Sequence, residues 1–230
     1  LGDVVRQSTT TDREVDLRIA ERLDTIRQNP DYLNYLVLVF VQMTNEEIST
    51  RSVAGLLAKN HLNFNSQRVS PESLEFVKHM IHPALSFSDT VLRNVASQIV
   101  AVLMQVLKPA NWIEGLSSLT QAMDSNHTEE AEAALSTFAK ISEDMPEELD
   151  ACEIQGMRPL DVLIPKLLQA TEHTDTRIRV HALNSLNQYI QIGSPSMNAN
   201  MDGYIAVLFQ RATDERRVVR KEVSHALGFV

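Results

Sequence analysis

Few side chains in this 230-residue sequence are spaced for chemistry. His79 and His82 have the spacing of two zinc ligands on one helix, but no third ligand lies near them and Pro83 follows at once. We interpret them as a histidine pair at a helix end. No set of nucleophile, base and orienting residue is recognisable. The sequence therefore predicts no catalytic residue, no bound metal and no cofactor.

The glycines and the single cysteine exclude several classes of protein. The seven glycines are never closer than ten residues, so no glycine-rich phosphate loop or nucleophile elbow can form. Turn glycines for a strand-rich fold are scarce as well. Cys152 is the only cysteine, which rules out an internal disulfide and fits a reducing compartment. We therefore expect a binding protein and not an enzyme.

No segment reads as a membrane span or a secretory signal. The longest purely apolar run covers seven residues, 35–41, whereas a spanning helix needs about 20. Residues 1–4 include no methionine and no basic segment, and the apolar stretch 226–230 has no cap. We expect a piece of a longer protein that does not insert into membranes.

The net charge of −9 is concentrated in one part of the chain. Residues 111–160, the acidic block, hold 11 acidic and 2 basic residues and account for the whole excess. An acidic chain is a poor partner for nucleic acid, whose phosphates need a basic groove. The acidic block either attracts a basic protein surface or consists of glutamates at a helix start and a solvated loop. A basic cluster at 216–221 is interpreted as a charged helix face.

Apolar residues recur with helical spacing over most of the sequence. The clearest stripes cover 92–106 and 178–190. Start signals precede several stripes, with capping boxes at Thr44 and Asn126 and with Ser70 before a proline. Residues 35–41 fit either a buried strand or a buried helix, and we predict a helix because of the repeat described next.

An arginine followed three residues later by a small residue recurs along the chain. The arginines are Arg51, Arg93, Arg179 and Arg220, and the same frame passes through Ala131 without an arginine. Spacings of 38 to 48 residues are typical of HEAT-type repeats, each of which is a pair of helices. We expect each arginine to bond an acidic or polar residue near the turn. Asp214 and Asn45, six residues before Arg220 and Arg51, are the predicted partners.

Helix pairs of this kind stack into an all-α solenoid, with antiparallel helices and a concave inner face. We predict one array of about five to six repeats over residues 1–230. The predicted helix-pair ranges are 13–43, 46–64, 70–107, 109–144, 157–193 and 199–230.

Five stretches carry a resemblance to a known family. They are 29–36, 50–60, 111–112, 158–169 and 214–227. Together they resemble the N-terminal repeats of the transportin-type nuclear import receptors, in the importin-beta superfamily. The likeness covers nearly all of 12–230, and 12–64 corresponds to the family's N-terminal domain. The family follows its tryptophan with Pro-Asp-Leu-Leu, but here Ile-Glu-Gly-Leu follows Trp112, so we expect Trp112 to pack differently.

The resemblance implies binding of the small GTPase Ran in its GTP state, through second helices that line the concave face. The candidate Ran-binding residues are Gly55, Lys59, Asn60, Asp12, Asp16, Glu129 and Glu130. Gly55 is expected to let a partner's backbone approach closely, while the core of its helix lies at positions 53, 54, 57 and 58. The residues expected to be structural are Arg51, Arg93, Arg179, Arg220, Asp214 and Trp112.

The resemblance also implies further partners and a location. Such receptors carry cargo with nuclear localisation signals, contact the Phe-Gly repeats of nucleoporins, and shuttle as monomers between cytoplasm and nucleus. Their cargo contacts lie in later repeats, so we expect this chain alone to bind a localisation peptide weakly. The alternative function is a HEAT-repeat scaffold that organises another protein complex. The segment 50–60 favours the receptor.

Overall fold

A computed structural model describes residues 28–154 and 156–228, together with Ile26. Within these residues the chain forms helices and turns without a strand, and one isolated bridge pairs Ile154 with Met157. The helices are α1 (Tyr32–Gln42), α2 (Ile48–Asn65), α3 (Pro71–Ile81), α4 (Thr90–Leu107), α5 (Ile113–Ala122), α6 (Thr128–Asp144), α7 (Pro146–Asp150), α8 (Pro159–Ala170), α9 (Thr176–Gln191), α10 (Pro195–Asn198), α11 (Met201–Arg211) and α12 (Arg217–Ala226). The predicted all-α fold is confirmed.

The described helices fall into two compact units, which are divided after Val106. In the first unit α1 packs against α2 and α3. In the second unit α5 pairs with α6, α8 with α9, and α11 with α12, while α6, α9 and α12 lie side by side. The predicted ranges from 70 onwards each contain two consecutive long helices, but 46–64 contains only α2, which packs against α1. A single array over the whole chain stays a prediction.

The ambiguous run 35–41 is helical, as predicted, and lies inside α1. Leu36, Val37, Val39 and Phe40 are buried there. The run is apolar on more than one side because α1 contacts both α2 and α3. A helix that is buried in this way loses the simple alternation between apolar and polar residues, which is why its sequence also fits a buried strand.

Helix α4 has the length and mean hydropathy, 1.4, of a membrane-spanning helix. However, 61% of that window is buried inside the protein, including Arg93 and Ser97. Apolar composition combined with this burial is typical of the core helix of a globular unit.

The predicted helix caps are correct at one site and wrong at two. The Ser70 hydroxyl accepts a hydrogen bond from the Ser73 amide at 3.1 Å, as predicted. Helix α2 begins only after Glu47, so the predicted box at Thr44 does not cap it. At the start of α6 the hydroxyl of Ser125, not the side chain of Asn126, accepts from the His127 amide at 3.1 Å.

The repeat arginines mainly bind carbonyl groups of the chain, which corrects the prediction of acidic partners. Arg93, Arg179 and Arg220 each donate to the carbonyl oxygens six and five residues earlier, at 2.6–3.1 Å. Arg51 does not bond Asn45 but donates from Nε to the Phe40 carbonyl at 3.0 Å. These bonds fix the turns because a guanidinium presents several donors in one plane.

The carboxylate of Asp214 binds Arg179 of the preceding repeat and does not bind Arg220. It lies 3.1 Å from Arg179 Nη2 through one oxygen, and 3.0 Å from Arg179 Nε and 3.4 Å from Arg211 Nη1 through the other. Burial by itself raises the pKa of Asp214, but hydrogen bonds from the Arg216 amide and from Arg179 outweigh burial and lower it. In the predicted pair, Arg220 therefore binds the main-chain carbonyl of Asp214 and not its carboxylate. The ion pair between Asp214 and Arg179 joins two successive repeats.

Trp112 lies immediately before α5, and its indole is 4% exposed. The ring rests on Gly115, where an added β-carbon would come within 2.4 Å of it. The glycine in Ile-Glu-Gly-Leu therefore provides the space that this tryptophan occupies.

Candidate partner-binding surfaces

The C-terminal half of α2 presents an exposed stripe, which we call the α2 stripe. It consists of Leu56, Asn60 and Phe64, which recur every four residues, with exposed Asn63 beside Phe64 and half-buried Lys59 beside Asn60. Phe64 is 76% exposed, although a large aromatic side chain normally buries most of its area. The structure therefore places the predicted residues Lys59 and Asn60 on one surface. It adds Phe64, which its position four residues after Asn60 would have revealed.

Gly55 is not on that surface, which corrects the expected role of this residue. It is buried, and an added β-carbon would lie 2.5 Å from a methyl group of Val95 and 2.8 Å from the ring of Phe40. The missing side chain thus lets α2 approach α1 and α4 closely, and gives no access to a partner's backbone. The buried stripe of α2 runs through Arg51, Gly55, Ala58 and Leu62. Of the predicted core residues, those at 54 and 58 are buried as predicted, whereas those at 53 and 57 are only half-buried.

The acidic candidates fall into three situations. Asp12 and Asp16 lie outside the described residues. Glu129 is exposed on the first turn of α6. Glu130 accepts a hydrogen bond from the Ser125 hydroxyl at 2.6 Å, which ties its carboxylate to the turn before α6. Of the two candidates that the structure describes, Glu129 is the one whose carboxylate is open to a partner.

The centre of the acidic block is largely compensated by the neighbouring repeat. Glu132 on α6 is 7% exposed, and its carboxylate lies 3.3 Å from Nε2 of His181 and 3.7 Å from Arg177 on α9. Arg177 also binds Asp175, and its hydrogen bond is the main cause that lowers the pKa of Asp175. This part of the block therefore joins α6 to α9 and offers little net charge to a partner.

Further along α6 the surface is more acidic. Burial lowers the pKa of Lys140, whose ammonium donates to the Ser136 hydroxyl at 2.8 Å. Burial also raises the pKa of Asp144, and the adjacent Glu143 raises it further. Glu143 accepts a hydrogen bond from Asn184 of α9 at 2.8 Å. Exposed negative charge from the acidic block is thus found mainly at 143–148.

Two other clusters from the sequence do not form a site. His79 and His82 are both exposed, and no group of three or more His, Cys, Asp or Glu side chains in the described ranges could hold a metal ion. In the basic cluster at 216–221, Arg220 binds turn carbonyls while Arg217 and Lys221 are exposed.

An apolar groove runs between the first helices of two successive repeats, α5 and α8, and its volume is about 420 Å³. Its apolar lining includes Ile113, Leu116, Met157, Val162 and Leu163. Met157 is 67% exposed and Val162 is 54% exposed, so the groove presents apolar side chains to solvent. Apolar surface of this kind is typical of a site that binds a partner. This groove is not recognisable in the sequence, because an exposed apolar residue on a first helix has the same spacing as one in the core.

Comparison with known proteins places the chain beside nuclear transport receptors. No family model matches it. It is 36% identical to transportin-1 of Oryza sativa over 206 residues, which are 89% of this chain and 23% of the relative. It is 30% identical to importin subunit beta-2 of Schizosaccharomyces pombe over 232 residues, which are 100% of this chain and 25% of the relative. The chain thus spans about a quarter of the length of the curated relatives it matches.

Solved structures share the fold at low sequence identity. The Kap95:Nup1 complex matches 99% of this chain and 28% of the solved chain, with a TM-score of 0.81 and 16% identity. A structure of Kap95p described as inducing the switch loops of RanGDP to adopt the GTP-bound conformation matches the same shares, with a TM-score of 0.82 and 17% identity. The predicted HEAT-type fold and the predicted resemblance are confirmed.

Proposed function

Since the chain is related to the transportins of the importin-beta superfamily, we propose that it is part of a nuclear import receptor and binds Ran in its GTP state. The observation that carries the proposal is the α2 stripe, where an exposed aromatic ring and polar side chains follow the segment that resembles these receptors. Interfaces of standard size are dominated by a few such aromatic anchors with polar neighbours. The complex of Kap95p with Ran supports the choice of partner.

We propose the following for the longer receptor to which the chain belongs. The longer protein carries cargo with nuclear localisation signals between cytoplasm and nucleus, acts as a monomer, and neither binds nucleic acid nor inserts into membranes. The alternative, a HEAT-repeat scaffold for another complex, predicts no response to the nucleotide on Ran.

We expect Lys59→Ala together with Asn60→Ala, and separately Phe64→Ala, to weaken Ran-GTP binding by about 1–2 kcal/mol each. Their side chains lie outside the buried stripe of α2, so helicity should not change. The measurement is calorimetry against Ran-GTP and Ran-GDP, with affinity falling as salt is raised because part of the attraction is between charges. His79→Ala on α3 is the control, since it removes an exposed polar side chain outside the α2 stripe. Equal affinity for Ran-GTP and Ran-GDP would contradict the proposed preference for the GTP state.

The apolar groove between α5 and α8 supports a second partner, the Phe-Gly repeats of nucleoporins. A groove of this size with apolar walls suits an isolated phenylalanine ring, and the Kap95:Nup1 complex has the same fold. We expect Val162→Glu to weaken binding of a Phe-Gly repeat peptide about tenfold, since it places a charge in the groove. Val218→Glu is a matched control, because Val218 is 53% exposed, as Val162 is, but lies outside the groove. Fluorescence anisotropy of the labelled peptide makes the comparison, and equal losses from both substitutions exclude the groove.

A further inference from the structure

One repeat lacks the arginine that the others have, and a cavity lies beside that position. Arg179 and Arg220 are the fourth residues of α9 and α12, and the fourth residue of α6 is Ala131. The last helical residues before the turns, Ala122, Ala170 and Arg211, have the same spacings of 48 and 41 residues as Ala131, Arg179 and Arg220. The three repeats of this unit therefore align without a gap around their turns.

This alignment shows that a whole charged cluster is absent from one junction. Between the last two repeats, Arg179 and Arg211 hold Asp214 between them. The residues at the equivalent positions of the preceding junction are Ala131, Ala170 and His173. Both arginines and the acid are thus replaced together. Two of the replacements are alanines, which are too short to fill the junction, and the third is His173, whose ring is engaged in its own turn. The His173 ring accepts a hydrogen bond from the Asp175 amide at 2.9 Å.

The junction contains a cavity of about 790 Å³, which we call the ladder cavity. Ala131, Leu135 and Ile178 form its buried apolar floor. Asp124 and Glu172 lie at its rim, where Lys166 pairs with Asp124 while Glu172 has no ion-pair partner in the part of the chain that is described. The volume is within the range of ligand pockets, and the rim has more acid than base.

The ladder cavity is also lined by carbonyl groups that are equivalent to those that the arginine binds in the next repeat. Arg179 donates to the carbonyl oxygens of His173 and Thr174 at 2.9 and 2.8 Å. The equivalent carbonyl groups, those of Ser125 and Asn126, receive no hydrogen bond from any described residue. Both residues line the cavity. Polar groups of this kind require a donor from solvent or from a ligand.

We propose that the ladder cavity binds the guanidinium of an arginine side chain from a partner protein, in place of the arginine that this repeat lacks. The flat group with five donors can serve both carbonyl groups and the Glu172 carboxylate, while its aliphatic stem lies on the apolar floor. A lysine has one compact ammonium and fits the two carbonyls and the acid less well. The inference goes beyond Ran binding and does not depend on it, since the ladder cavity lies between α6 and α8–α9 and not on α2.

The test is a titration of the 230-residue chain with a short capped Gly-Arg-Gly peptide, followed by amide chemical shifts. We expect shifts concentrated at 124–128 and 170–175, and an affinity at least about fivefold lower when the arginine is replaced by lysine or by neutral citrulline. Free arginine is a separate arm: binding tighter than that of the peptide would point to a small-molecule ligand and overturn the proposal of a protein partner.

Variants of Ala131 decide whether the response comes from this cavity. Ala131→Arg supplies the missing group from within the chain and is expected to raise Tm and to abolish the peptide-induced shifts. Ala131→Met fills the space without donors and should also abolish them, so a folding failure of the first variant does not decide the outcome. Thr213→Arg, with the same charge change on an exposed turn residue, should bind the peptide as the unchanged chain does. Equal affinity for arginine, lysine and citrulline peptides, or full binding by Ala131→Met, overturns the proposal.

Discussion

Asp214→Asn is expected to lower the free energy of unfolding by about 3 kcal/mol at neutral pH. The substitution keeps the shape of the side chain but leaves Arg179, which is 5% exposed, without its counter-charge. Removing one partner of a buried ion pair is costly because the other charge stays away from water. Thermal unfolding is the measurement, and for a chain of this length the loss corresponds to a fall in Tm of about 6–12 °C.

The pH dependence of this loss gives a second check. The folded state lowers the pKa of Asp214, so the ionised carboxylate stabilises the fold above the pKa of the unfolded chain, and this contribution is lost as pH falls through the lower, folded value. The difference between the unchanged chain and Asp214→Asn should therefore be full above about pH 5 and shrink below about pH 4. Glu215→Gln, which removes the adjacent exposed acid, is the control and should change stability by less than about 0.5 kcal/mol. A loss that is equal at pH 3 and pH 7 would contradict the ion-pair explanation.

Gly55→Ala is expected to destabilise the chain by about 2 kcal/mol, while Gly203→Ala should stabilise it by up to about 1 kcal/mol. Both glycines lie inside helices, so both substitutions gain the same helix propensity of about 1 kcal/mol. At Gly55 the new β-carbon would lie 2.5 Å from Val95 and 2.8 Å from Phe40, and β-branched Val95 has little freedom to move. At Gly203 the nearest atom, a methyl group of Leu168, is 3.4 Å away.

Urea unfolding of the two variants separates packing from propensity. The opposite signs are the expected result, and the double variant Gly55→Ala with Val95→Ala should recover part of the loss, because the shorter side chain vacates the contested space. If both glycine variants were stabilised alike, the close approach of α2 to its neighbours would not limit the packing of this helix.

The repeat was predicted from local information, and the structure bears out its helices. Helical spacing depends on residues three or four positions apart, which one turn of helix brings together. The recurring arginine depends on carbonyl groups five and six residues earlier, in the turn that precedes its own helix. The caps at Thr44 and Asn126 were predicted wrongly from equally local patterns, since each of these turns contains several polar residues. The N-cap residues are Glu47 and His127, and neither side chain makes a capping hydrogen bond.

The sequence by itself determined the all-α class, the helix at 35–41, the helix pairs from residue 70 onwards and the resemblance to import receptors. Only the tertiary structure decided which side of each helix is used, because helical periodicity does not state how a helix is rotated about its axis against its neighbours. Gly55 therefore faces Phe40 and Val95 and not a partner, and Phe64 is left on the surface. The structure likewise decided that Asp214 binds Arg179, 35 residues away, because stacking one repeat on the next brings together side chains that no local spacing connects.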